Sequence, residues 1–183
     1  MPSIIDSMYS DTSQLLGLLG AQGEPSMQSF ANSNLRKVLL LSAASWFETR
    51  ISNALQKFST IHSNGHPGIE SLIKRKAIER QYHTYFDWKT KKPGPFYALF
   101  GDVCGDQLKQ LVKADADLKD ALAAFLELGS LRNELVHENF AAFPFEKTTE
   151  EVYALYQRAE SFVLFVETKM QDQNFGRVVQ EAE

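Results

Sequence analysis

With 183 residues the chain can bury one sizeable core, and its length gives no reason to expect a second. Apolar residues make up 44% and charged residues 23%, ordinary globular usage that favours neither a disordered nor a membrane-spanning class. A net charge of −4 argues against a generic nucleic-acid coat.

The start, Met1-Pro2-Ser3-Ile4-Ile5-Asp6, carries no basic stretch followed by an apolar run, and no stretch is apolar enough to span a bilayer. The expectation is a soluble, cytoplasmic protein. A helix is predicted over residues 12–20, then a loop, Ala21-Gln22-Gly23-Glu24-Pro25-Ser26, that makes residues 1–33 look like an arm. From Ser33 to about Phe58 one helical track holds Leu35, Val38, Leu39, Ser42, Trp46, Arg50 and Ala54, and another holds Leu41, Ala44, Ile51 and Leu55. A helix apolar over so much of its circumference belongs at the centre. Asn64-Gly65-His66-Pro67-Gly68 is a turn cluster, and a second helix is predicted over about Ile69 to Phe86. Lys91-Lys92-Pro93-Gly94-Pro95 ends that segment.

Helical spacing resumes over Val103–Val112, where Cys104, the single cysteine, reads as a small core hydrophobe. It continues from Leu118 through Ala121, Leu122, Phe125, Leu128 and Gly129 to about Glu138. Phe143-Pro144-Phe145 breaks the chain. Thr148, with Glu151 three residues on, reads as a capping box opening a last helix that runs to about Met170. The fold class is all-α, a compact bundle of about five helices with a short N-terminal helical arm.

The residues that carry chemistry lie in Arg132-Asn133-Glu134-Leu135-Val136-His137. On an ideal helix, positions four apart sit about 40° from each other and positions five apart about 140°. Asn133 and His137 therefore share a stripe with Ser130, whereas Arg132 lies on the apolar track with Leu128, Gly129 and Val136. Arg132 and His137 can meet on one phosphate if the helix distorts near its end, if the Arg side chain curls round, or if a second copy is brought alongside. An arginine on an apolar track must be paired or face a wet groove. One plain explanation is an ion pair with Glu48 on the first long helix, with His137 at the C-terminal end of a helix dipole.

A helical chain of this size with R-N-x-x-x-H near the end of its fourth main helix resembles the HEPN superfamily, whose motif is R-x4-6-H with a polar residue commonly after the Arg. Trp46-Phe47-Glu48 on a long early helix and an aromatic-rich middle ending in Phe100-Gly101 look like the RiboL-PSP type, over roughly residues 34–170. The division read from this is an arm at 1–33, a HEPN-like helical domain at 34–172 and a tail at 173–183. The resemblance implies a metal-independent endoribonuclease acting as a homodimer with two motifs facing one groove. It also implies a toxin or antiviral defence role with a neutralising antitoxin or defence-system partner protein. The substrate's own 2′-OH is then the nucleophile. His137 transfers protons, since histidine is the side chain that ordinarily titrates near neutral pH. Arg132 offers permanent charge and a forked donor for phosphate oxygens. Asn133 orients the imidazole, binds the phosphate or merely faces solvent, and Glu48 stands behind Arg132. The alternative, from another class, is a catalytically silent HEPN-like module that binds a protein partner or nucleotide.

Between residues 74 and 92 seven bases (Lys74, Arg75, Lys76, Arg80, Lys89, Lys91 and Lys92) face two acids, a local +5 that leaves −9 for the rest. Interleaved aromatics there could stack on bases of RNA or point into the core. Arg80, Lys89, Lys91 and Lys92 are the candidate RNA-binding residues. Glu134-Leu135-Val136-His137 also reads as the half-motif of di-iron bundles, but His62, His66 and His83 each lack a Glu three residues earlier, so no cofactor and no metal site are expected.

Overall fold

The structure, a computed structural model, describes residues 2–176. Met1 and most of the expected tail, 177–183, lie outside the described residues. Among those described, seven α-helices and no strand confirm the all-α expectation, and no helix is long and apolar enough to cross a membrane.

Helix α1 spans Ile4–Ala21, starting well before the predicted 12–20. Its start is a capping box. Ser3 Oγ accepts from the Asp6 N–H at 3.1 Å, and Asp6 accepts from the Ser3 N–H at 2.6 Å. The same two residues bind helix α7 (Thr149–Gln171). Tyr156 donates to Ser3 Oγ and Tyr153 to Asp6 Oδ1, both at 2.9 Å, and Tyr9 stacks on Tyr153 at 3.9 Å. Residues 1–33 are thus docked on the bundle at their beginning, with Ile5 buried. The Ser3 N–H, with help from the Tyr153 hydroxyl, holds the Asp6 carboxyl below its usual range. Ser3→Ala is expected to cost about 1 kcal/mol, read as a lowered urea midpoint. Asp6→Asn should be less stable than wild type at neutral pH. That difference should fade as pH falls through the depressed titration of Asp6, because a carboxylate favoured by the folded state stabilises only while ionised.

Gly23, at φ +71°, turns the chain into α2, Pro25–His62, where Pro25 occupies the first helical turn that tolerates a missing N–H. This 38-residue helix is longer at both ends than predicted and packs on α6 (Ala116–His137) and α7. Phe47 from α2, Phe125 from α6 and Phe162 and Tyr156 from α7 meet in the core. Thr148 and Glu151 form the expected box at the start of α7.

The helix predicted over Ile69 to Phe86 is corrected. Helix α3 covers only Pro67–Ile73, a π-helical turn follows over Lys74–Ile78, and a single tight turn covers Tyr82–Thr84. Arg80 stands between them at φ +61°, which an α-helix does not permit. Tertiary packing supplies the reason. Tyr85, Phe86 and Trp88 are all buried, and a regular helix would spread them around more than one face. Irregular backbone lets all three reach the core. Asp87 and Lys92 then pair their backbones across a tight turn, before α4, Gly94–Ala98, and α5, Gly101–Ala114. Cys104 on α5 is half-buried rather than central.

Candidate functional site

Helix α6 is capped by Asp115, whose side chain accepts from the Leu118 N–H, and stays α-helical through His137, where the Glu138 N–H closes on the Glu134 carbonyl. A distorted helix end therefore does not bring His137 round to Arg132. His137 is exposed at the last position, Asn133 is half-buried, and Ser130 is buried with its hydroxyl donating to Glu134 at 3.1 Å. Among the described residues no hydrogen bond joins Asn133 to His137.

Arg132 points the other way, toward α2. A guanidinium nitrogen lies 3.9 Å from Glu48 Oε2, with the two side chains 39% and 40% exposed. At that distance and exposure the pair is worth at most ~1 kcal/mol. Arg50, in the same chain, is what a structural arginine looks like. It grips both oxygens of Glu167 and one of Glu160 with only 15% of its side chain exposed, and these carboxylates raise its pKa above the ordinary arginine value. The Glu48 contact steers Arg132 without fully occupying it, leaving donors for an anion.

Arg132 and Asn133 line a narrow cleft with Ala44, Phe47, Tyr82, His83 and Trp88. Its interior of about 20 Å³ has room for roughly one water. Trp88 forms one wall because Gly129 has no side chain: a Cβ there would lie 2.0 Å from Trp88 Cζ3, far inside van der Waals contact. The Trp88 Nε1–H donates to the His83 carbonyl at 3.1 Å, so the turn at 82–84 is tied to α6 one helical turn before Arg132. Burial, and then the nearby Glu48 carboxylate, push the Tyr82 phenol's pKa up despite Arg132, so it stays protonated.

Lys89, Lys91, Lys92 and Arg80 are all exposed, three of them in the turn that leaves the cleft wall at Trp88. The interleaved aromatics do not share that exposure. Tyr85, Phe86 and Trp88 are core residues, so they are not platforms for bases, and only the charges face solvent. The residue that sequence reasoning missed is His83, which looks like one more polar residue among bases and aromatics. No signal short of the Gly129–Trp88 contact brings it to the motif. Among the described residues no three His, Cys, Asp or Glu side chains are grouped to hold a metal ion.

A family model, RiboL-PSP-HEPN, matches residues 6–172. The match takes in α1 and the start of α2 as well as the 34–170 stretch that carries the resemblance in sequence. No curated protein and no solved structure matches the chain.

Proposed function

Because the chain belongs to the RiboL-PSP-HEPN family, we propose that it is a metal-independent endoribonuclease whose site is built from Arg132, Asn133 and His137. The observation that carries this reading is Arg132. It is loosely held by Glu48, it opens on a cleft, and it sits five positions before an exposed histidine on an unbroken helix. An RNA phosphate supplies the anion that the Glu48 contact leaves room for. The substrate's 2′-OH attacks phosphorus, Arg132 stabilises the charge building on the phosphate oxygens, and His137 transfers a proton. Incubating the purified chain with total cellular RNA in EDTA tests this. The expected products are discrete fragments with 2′,3′-cyclic phosphate ends. Intact RNA would leave a HEPN-type module that binds a partner or nucleotide without cutting.

The reading includes a homodimer. With α6 regular to its end and Arg132 turned toward Glu48, a second copy is the economical way to bring a His137 to an Arg132. Sedimentation should find a dimer at micromolar concentration, and a strict monomer that still cleaves would contradict the composite site. A toxin or antiviral role, restrained by an antitoxin or a defence-system partner, fits the same chemistry, since an unrestrained cytoplasmic nuclease would harm its host.

The turn at Lys89, Lys91 and Lys92 is the approach surface for RNA in this account. Neutralising all three should weaken RNA binding and reduce the salt slope by up to about three charges' worth, with the fold unchanged. Binding measured across a salt series checks it, and an unaltered slope removes the turn from the interface.

A further inference from the structure

Cleavage through a 2′-OH requires two proton transfers, one from the attacking hydroxyl and one to the departing 5′-oxygen, on opposite sides of phosphorus. The R-x4-H motif supplies a single histidine per chain, and with α6 regular to its end each Arg132 is met by one His137, that of the second copy. We propose that His83 is the second proton-transfer group of this site, taking the proton from the 2′-OH; the inference rests on the ribonuclease reading above.

Position comes first. His83 is exposed at the rim of the cleft that Arg132 and Asn133 line. Its backbone is fixed by the hydrogen bond from Trp88, while its imidazole has no hydrogen bond among the described residues. The other histidines outside the motif are placed elsewhere. His66 caps α3 by accepting from the Ile69 N–H at 3.4 Å, and His62 packs on Phe58 with ring centres 4.5 Å apart. Of the other titratable groups lining the cleft, Arg132 is a permanent cation and Tyr82 is held in its neutral form, while Glu48, which faces Arg132, is not part of the lining. That leaves the His83 imidazole as the proton acceptor on the cleft lining.

The two histidines divide the steps. His83 lines the cleft with Arg132, so it is assigned the hydroxyl that attacks the phosphate Arg132 holds. His137 of the second copy, exposed at the end of α6, is left for the departing 5′-oxygen. In the balanced step, the neutral His83 imidazole takes the 2′-OH proton as the 2′-oxygen bonds to phosphorus. The bond from phosphorus to the 5′-oxygen breaks, and protonated His137 gives that oxygen its proton. The products are a 2′,3′-cyclic phosphate and a 5′-hydroxyl, with His83 one proton richer and His137 one poorer.

The test is single-turnover cleavage by wild type, His83→Ala, His83→Gln and His137→Ala of one RNA made with either a 5′-oxygen or a 5′-bridging sulfur at the cut. Sulfur leaves without needing a proton, so it relieves the loss of a general acid and not of a general base. Both His83 variants should fall by about 10²–10⁴-fold on either substrate, with added imidazole restoring part of the His83→Ala rate. The sulfur substrate should restore His137→Ala. Near wild-type rates for the His83 variants, or their restoration by sulfur, would overturn the assignment while the ribonuclease reading stands. Failure of wild type to cut either RNA would instead overturn that reading and this inference with it.

Discussion

His137→Ala is expected to abolish RNA cleavage while leaving fold and RNA affinity intact, and Arg132→Lys is expected to fail as well although it keeps the charge. His137 is exposed at the last position of α6, so removing its ring opens no cavity and breaks no hydrogen bond among the described residues. What it removes is proton transfer, worth about 10²–10⁴-fold in rate. The Arg132 expectation is more discriminating. Lysine brings a point charge without the planar fork that holds two phosphate oxygens together, so the swap should forfeit much of the transition-state stabilisation. If Arg132 existed only to balance Glu48, Arg132→Lys would cleave almost normally, and Glu48→Gln would lower thermal stability more than activity. The 3.9 Å separation and the exposure of both partners argue against that role, since such a pair stabilises by at most about 1 kcal/mol. Single-turnover rates set beside thermal melts separate the two accounts.

Gly129→Ala should be the most damaging single methyl in the motif helix. On propensity alone it would help, because alanine is preferred over glycine in a helix interior by about 1 kcal/mol. Here the new Cβ would occupy the space of the Trp88 ring. Trp88 has nowhere to go. Its Nε1–H is bound to His83, and its ring packs on Phe86 at 5.0 Å, Tyr82 at 5.6 Å and Phe125 at 6.0 Å. Overpacking of this kind costs about 1–3 kcal/mol, and losing the tryptophan's burial costs more, about 3–5 kcal/mol. The net expectation is a loss of about 2 kcal/mol or more together with cleavage, because the wall of the cleft and the His83 turn move with Trp88. Gly17→Ala is the matched control. Nothing lies within 4 Å of a Cβ at that exposed position of α1, so it should be neutral or stabilise by up to about 1 kcal/mol. Equal melting curves for the two variants would mean that Trp88 does not bear on Gly129.

The parts of the fold that could be read in sequence are those with local causes. Thr148 and Glu151 announce α7, and the apolar track from Leu118 announces α6, because a cap and a 3.6-residue period need nothing distant. The start of α1 was equally local, but its box is Ser3 with Asp6 rather than Glu or Gln, and Pro25 at the head of α2 reads as a loop until the helix behind it is seen. The path from Lys74 to Trp88 was not legible. It follows from burying Tyr85, Phe86 and Trp88 together against α6 and α7, a tertiary demand that overrides helical spacing. The site divides the same way. Arg132 on an apolar track calls for an acid or a wet groove, and the chain provides both in Glu48 and the cleft. His83 gives no such sign, because its nearness to Arg132 is made by Trp88 resting on Gly129.

The central claim is that the RNA attacks itself through its own 2′-OH, with no metal required. Single-turnover cleavage in EDTA of an RNA, and of the same strand carrying one 2′-deoxy nucleotide at the mapped cut, tests it most directly. The account predicts a cut RNA ending in a 2′,3′-cyclic phosphate and an intact 2′-deoxy strand. Cleavage of the 2′-deoxy strand at that position, or loss of all cleavage in EDTA that returns with added metal, would contradict it.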